Sequence, residues 1–144
     1  MKQQAMQNHP EEWFFLHNFD LDRVFSTIRR ADYLVLFYIK TRQESCPDAK
    51  LYLTDLANTM GIRVSELSKG VEKLQDQGYV RWLTDRDAGR TYVELTSKAV
   101  ELMAEEQQYM KRCYARMQAE VGEEELRRTV DSLQKILQIF KEER

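Results

Sequence analysis

Apolar residues recur at two different spacings in the middle of this chain. In "RVSELSKGVEKLQDQ", Leu67, Val71 and Leu74 stand three and four residues apart, the period of one helix face. Just downstream, "YVRWL" and "TYVELT" alternate: Val80 and Trp82 against Arg81 and Leu83, then Tyr92 and Glu94 against Val93 and Leu95. That is the period of a strand. The run Asp85, Arg86, Asp87, Ala88, Gly89, Arg90 between them is too long for a two-residue turn, so a hairpin with a broad charged tip is expected. Upstream, "YLTDLANTM" predicts a short helix with Thr54 as N-cap, Leu56 and Ala57 inward, and Gly61 ending it. The helix after it starts from a cap at Arg63 or Ser65 and closes at Gly78.

The flanks read as longer helices. Asn8 or His9 can cap a first one, with Pro10, Glu11 and Glu12 in its opening turn. Its aromatic load (Trp13, Phe14, Leu16, Phe19, Leu21, Val24, Phe25) exceeds what one short helix hides, and a break near Asp20 or Ser26 is expected. A second helix fits Arg30 to Arg42 through Tyr33, Leu34, Leu36, Phe37 and Ile39. Pro47 disfavours helix at Cys46, so "QESCPDAK" is loop. Thr96 or Ser97 caps a long helix to Val121, striped by Val100, Met103, Met110, Cys113, Tyr114 and Met117, and Gly122 breaks it. In the last segment Leu126, Val130, Leu133, Leu137 and Phe140 recur as in a helix packed on another helix, with Ile136 and Ile139 widening the stripe.

Two short helices followed by a two-stranded hairpin make a winged helix-turn-helix. The expected fold is mainly α with a small two-stranded wing and N- and C-terminal dimerisation helices. The expected organisation is one domain over 1–144, with a reading head at 52–96 and dimerisation helices at 8–26 and 97–142.

Composition narrows the function classes. With 42% hydrophobic and 32% charged residues the chain has the balance of a folded protein. Its net charge of -2 weighs against a broadly basic nucleic-acid binder, although clustering matters more than the sum. From Gly61 to Leu95, Arg63, Lys69, Lys73, Arg81, Arg86 and Arg90 are matched by Glu66, Glu72, Asp76, Asp85, Asp87 and Glu94. No apolar run reaches the roughly 18 residues of a membrane span, and the start "MKQQAMQNHPEEW" has no signal core, so no membrane partner and a cytoplasmic location are expected. Cys46 and Cys113 have no CxxC spacing and read as free thiols; His9 and His17 are poorly spaced for a metal. No nucleophile, base and acid pattern points to an enzyme, and no cofactor or metal is expected.

Residues 52–103 resemble the MarR family of bacterial transcription regulators, and the related SarA-like group. The likeness rests on an ordered set: Leu53 and Thr54, Leu56 and Ala57, Gly61 and Ile62, Val71 and Leu74, Gly78 and Val80, and Leu95 and Thr96. The flanking helices extend it over nearly the whole chain. Three departures stand out. Glycine occupies Gly89 where the family wing carries the arginine of Asp-x-Arg; Ser65-Glu66 replaces the usual early pair of the recognition helix; and Ala99 stands where glycine is common.

The resemblance implies a homodimer reading double-stranded DNA at palindromic half-sites. A groove-reading helix must hold Leu67, Val71 and Leu74 in the core and show its polar face. The candidate DNA contacts are Arg63, Ser65, Glu66, Ser68, Lys69 and Lys73 on that helix, with Arg86 and Arg90 on the wing. Lys69 suits purine edges or a phosphate. Glu66 either accepts from a cytosine amine or repels the backbone. The candidate dimer interface is Trp13, Phe14, Leu126, Val130, Leu133, Leu137 and Phe140. Family members commonly respond to small aromatic ligands; Trp13, Phe15, Phe37, Tyr38 and Tyr109 are the candidate lining. The competing reading is a winged-helix protein-interaction module, or a weak non-specific DNA binder without a ligand response. Near-neutral charge, Glu66 and the absent wing arginine favour it.

Overall fold

A helix segment apolar on every side belongs at the centre of a fold, and residues 33–39, within a helix whose ends are polar, are such a segment. The computed structural model describes residues 2–8, 13, 16–17 and 28–144. The expectations at His9, Pro10, Glu11, Glu12, Phe14, Phe15, Phe19, Asp20, Leu21, Val24, Phe25 and Ser26 lie outside the described residues. The chain forms two compact units, Met1–Glu106 and Gln107–Arg144.

The first unit contains α1 (Lys2–Asn8), α2 (Arg30–Ser45), β1 (Leu51–Tyr52), α3 (Leu53–Met60), α4 (Val64–Asp76), β2 (Val80–Asp85), β3 (Arg90–Leu95) and the start of α5 (Ser97–Val121). Helix α2 buries Tyr33, Val35, Leu36, Phe37, Tyr38, Ile39 and Thr41. Helices α1 and α4 and strand β3 pack on it. Val35 and Tyr38 join the core while Leu34 is only half-buried, because an all-round buried helix has no single stripe for periodicity to find. The helix runs three residues past the expected end at Arg42, taking Gln43, Glu44 and Ser45 out of the expected loop, and stops before Cys46, as Pro47 requires.

Helix α3 begins two residues earlier than its composition suggests. Its N-cap is Tyr52, not Thr54, and no side chain caps it. The reason is a strand not foreseen: Leu51 pairs with Val93 and Tyr52 with Tyr92, holding the chain extended to the edge of the helix. The helix ends as expected at Gly61, whose φ of 70° is left-handed, with the Ile62 amide donating to the Ala57 carbonyl at 3.1 Å. Arg63, rather than Ser65, is the N-cap of α4. Leu67, Val71 and Leu74 are its buried face, as the spacing requires.

The sheet is antiparallel in the order β1-β3-β2. The hairpin ladder extends to Asp85↔Arg90, so both residues expected in the tip belong to strands, and the tip is residues 86–89. Thr96 supplies the cap of α5: its hydroxyl accepts from the Ala99 amide at 3.3 Å and donates to the Gly78 carbonyl at 2.6 Å. The inward face of the helix is Ala99, Leu102 and Met103; Val100, expected in the stripe, is 51% exposed because it lies a quarter-turn round from that face.

The second unit is the rest of α5 and helix α6 (Glu123–Glu142), separated by Gly122 at φ 93°. Leu126 is buried and Val130 and Leu137 are half-buried. Leu133, Ile136, Ile139 and Phe140 are open, Phe140 by 71%. Among the described residues no helix is long and apolar enough to cross a membrane.

Candidate nucleic-acid interface

Helix α4 turns its apolar face inward, and about 100° per residue then decides what faces out. Opposite Leu67, Val71 and Leu74 lie Ser65, Lys69, Glu72 and Asp76, all exposed. Arg63 and Glu66 are exposed at the N-terminal end of the same helix. That end presents Arg63, Ser65, Glu66 and Lys69 together. The C-terminal half is acidic through Glu72 and Asp76, which composition alone had entered only in a charge balance.

Three of the expected contacts are engaged inside the protein. Lys73 Nζ lies 2.9 Å from Asp32 Oδ2, at the start of α2. Its place on the flank of the helix, beside the core stripe, brings it over α2. Ser68 is half-buried and its hydroxyl donates back to the Val64 carbonyl at 2.8 Å. Arg90 stacks its guanidinium on the Tyr52 ring, 3.7 Å from the centroid. Arg81 pairs with Glu94 across the ladder at 3.4 Å. Lys73, Arg81 and Arg90 are exposed but engaged; among the described residues Arg63, Lys69 and Arg86 are the exposed basic groups of the head with no side-chain hydrogen bond, ion pair or ring contact.

The base of the wing is a polar cluster that no motif announced. Asp85 is buried; Tyr52 Oη donates to its Oδ2 at 2.7 Å, and the Ala88 amide donates to its Oδ1 at 3.3 Å. Lys50 Nζ lies 3.3 Å from Oδ2 and 5.0 Å from the Tyr92 ring centroid. The Tyr52 hydroxyl, then the Ala88 amide and Lys50, hold the Asp85 carboxyl down to about 2. The same carboxylate raises the Tyr52 hydroxyl and the Lys50 ammonium above their ordinary values. The one available sequence signal was the Asp85/Arg90 pair flanking a four-residue turn; Lys50 and Tyr52 arrive from a different element. At the tip, Gly89 takes φ 65° with nothing within 4 Å of where a Cβ would sit. The turn needs that left-handed residue, which is a backbone reason for glycine there.

Helix α4 is also clamped at its far end. Lys98 Nζ donates to the Gln77 carbonyl at 2.6 Å and lies 4.7 Å from the Tyr79 ring centroid. Thr96 holds the next carbonyl, Gly78. Gln75 Oε1 accepts from the Trp82 amide at 2.8 Å, tying α4 to β2.

Of the expected ligand lining, Trp13, Phe37 and Tyr38 lie together in the first unit, linked through His17. Phe37 and Tyr38 are core, 2% and 1% exposed. Trp13 stacks on His17 with centroids 4.6 Å apart, and His17 Nε2 is hydrogen-bonded to Tyr38 Oη at 2.9 Å. Burial pushes the Tyr38 hydroxyl up. Tyr109 belongs to the second unit, and Phe15 lies outside the described residues. His17 is half-buried and packs between Trp13 and Tyr38. Among the described residues no group of histidine, cysteine or acidic side chains is arranged to hold a metal. Cys46 and Cys113 are free and half-buried.

Solved structures share this arrangement. The S. aureus MepR-DNA complex aligns with 97% of this chain and 88% of its own, at 18% identity and a TM-score of 0.60. MepR itself, a transcription regulator of the Staphylococcus aureus multidrug efflux pump MepA, aligns at 16% identity, 96% and 89% coverage and a TM-score of 0.61. The chain has their winged-helix fold. A MarR family protein from Bacillus stearothermophilus has it too, at 16% identity, 96% and 86% coverage and a TM-score of 0.58. No family model and no curated protein matches the chain significantly.

Proposed function

We propose that this protein is a sequence-specific DNA-binding transcriptional regulator acting as a homodimer on palindromic operators. The observation that carries the reading is the N-terminal end of α4. Arg63, Ser65 and Lys69 stand exposed together, at the end that a helix-turn-helix directs at base edges. Arg86 on the wing tip adds a backbone contact. That MepR, a protein of the same fold, is seen bound to DNA supports it. The exposed stripe Leu133, Ile136, Ile139 and Phe140 supports the dimer, since four large apolar side chains on one helix want a partner surface. Trp13 and Phe14 belong to the same proposed interface. A small aromatic ligand near Trp13, Phe15, Phe37, Tyr38 and Tyr109, shifting the spacing of the two heads, would release the DNA.

A protein-interaction module is favoured by one observation: Glu72 and Asp76 occupy the outward face of α4, while Lys73 and Arg90 are engaged within the fold. Selection from random duplex DNA at about 0.1 M salt decides between them. A recovered palindrome bound with Kd near roughly 10⁻⁸ M supports the regulator. Weak, sequence-blind binding abolished by modest salt supports the protein partner.

A further inference from the structure

Glu66 is the unusual group on a surface offered to a polyanion. It is the third residue of α4 after its N-cap Arg63, the position from which a glutamate often reaches back to cap. It does not do so: the N-cap has no side-chain cap, and Glu66 is exposed with no hydrogen bond or ion pair among the described residues. Its neighbours on the same turns are Arg63, Ser65 and Lys69, and the helix end carries partial positive charge that keeps a carboxylate there.

A carboxylate only accepts hydrogen bonds. In the major groove guanine offers it two acceptors and thymine an acceptor and a methyl group. Adenine offers an amino donor beside the N7 acceptor, which repels the second carboxylate oxygen. Cytosine offers its N4 amino group without an adjacent acceptor on the same base. Resting on the DNA-binding reading above, we infer that Glu66 selects cytosine at one position of each half-site by accepting from its N4 amino group. Arg63 and Lys69 flank it and offset its repulsion from the phosphates. The carboxylate therefore trades general affinity for discrimination.

The test is parallel selection from random duplexes with the full chain, Glu66→Gln and Glu66→Ala. The wild type should recover cytosine at one position per half-site, and replacing it should weaken binding roughly tenfold or more. Glu66→Gln should move that position to adenine, since an amide both donates and accepts. Glu66→Ala should make that position degenerate, leave the others unchanged and tighten non-specific binding. If both variants recover the wild-type base at every position, Glu66 acts only on the helix dipole or the backbone, and the inference fails while the regulator reading stands. If the wild type recovers no sequence at all, the regulator reading itself fails.

Discussion

Lys73 Nζ sits 2.9 Å from Asp32 Oδ2, bridging α4 to the central helix α2. The aspartate side chain is 14% exposed and the lysine 44%. A lysine on the outer side of the second helix of a helix-turn-helix would ordinarily be counted as a candidate phosphate contact. Here its charge is already engaged, and its role is to hold the angle at which α4 leaves the core.

Lys73→Ala is therefore expected to behave as a stability variant. It should cost no more than about 1 kcal/mol in urea unfolding, because the pair is partly solvated. It should leave the salt dependence of DNA binding unchanged. Lys69→Ala should do the reverse: unfolding within about 0.5 kcal/mol of wild type, and a slope of log K against log salt reduced by about one. Equal slopes in the two variants would remove the distinction.

Asp85 predicts a pH effect of definite sign. Its carboxyl titrates near 2 in the fold, below the ordinary carboxylate value of 3.8. The folded state thus binds the proton less readily than the unfolded one. The stabilisation is fully present above the unfolded value and drains away as pH falls from about 5 toward 2. Asp85→Asn lacks that titration. The gap in melting temperature between wild type and variant should be widest at pH 6 and shrink across this window. A gap that stayed constant down to pH 2 would show that the carboxylate is not held by Tyr52, Ala88 and Lys50.

Thr96 joins two helix ends with one hydroxyl, capping α5 at Ala99 and holding the Gly78 carbonyl after α4. Thr96→Val keeps the shape and removes both bonds. It should cost about 1–2 kcal/mol, whereas Thr96→Ser should recover most of it. Chemical unfolding of the two variants checks this. A Thr96→Val variant as stable as wild type would mean that water replaces both partners.

The proposed dimer is tested on α6. Leu133→Asp and Phe140→Asp place a charge in the exposed apolar stripe without touching a buried residue, so the monomer should stay folded by circular dichroism. Sedimentation should show halved mass, and specific DNA binding should fall by roughly a hundredfold or more as the second half-site is lost. Tight specific binding by a variant monomer would sink the two-headed mechanism.

Local pattern determined much of this protein. Leu67, Val71 and Leu74 announced α4 and its buried face, the alternation in 79–96 announced the hairpin, and Gly61, Gly78 and Gly122 marked three helix ends. Each depends on residues a few positions apart, whose periodicity or backbone freedom is written in the chain. Tertiary structure decided what those signals cannot carry. Strand β1 is two residues long and exists only because Leu51 and Tyr52 meet Val93 and Tyr92. That pairing moved a helix cap from Thr54 to Tyr52 and delivered a hydroxyl to Asp85. Which cations stay open was likewise decided at a distance, by Asp32 for Lys73 and by Tyr52 for Arg90. A charge count along the sequence treats every lysine and arginine alike; their partners, tens of residues away, separate those that hold the fold together from those left facing solvent.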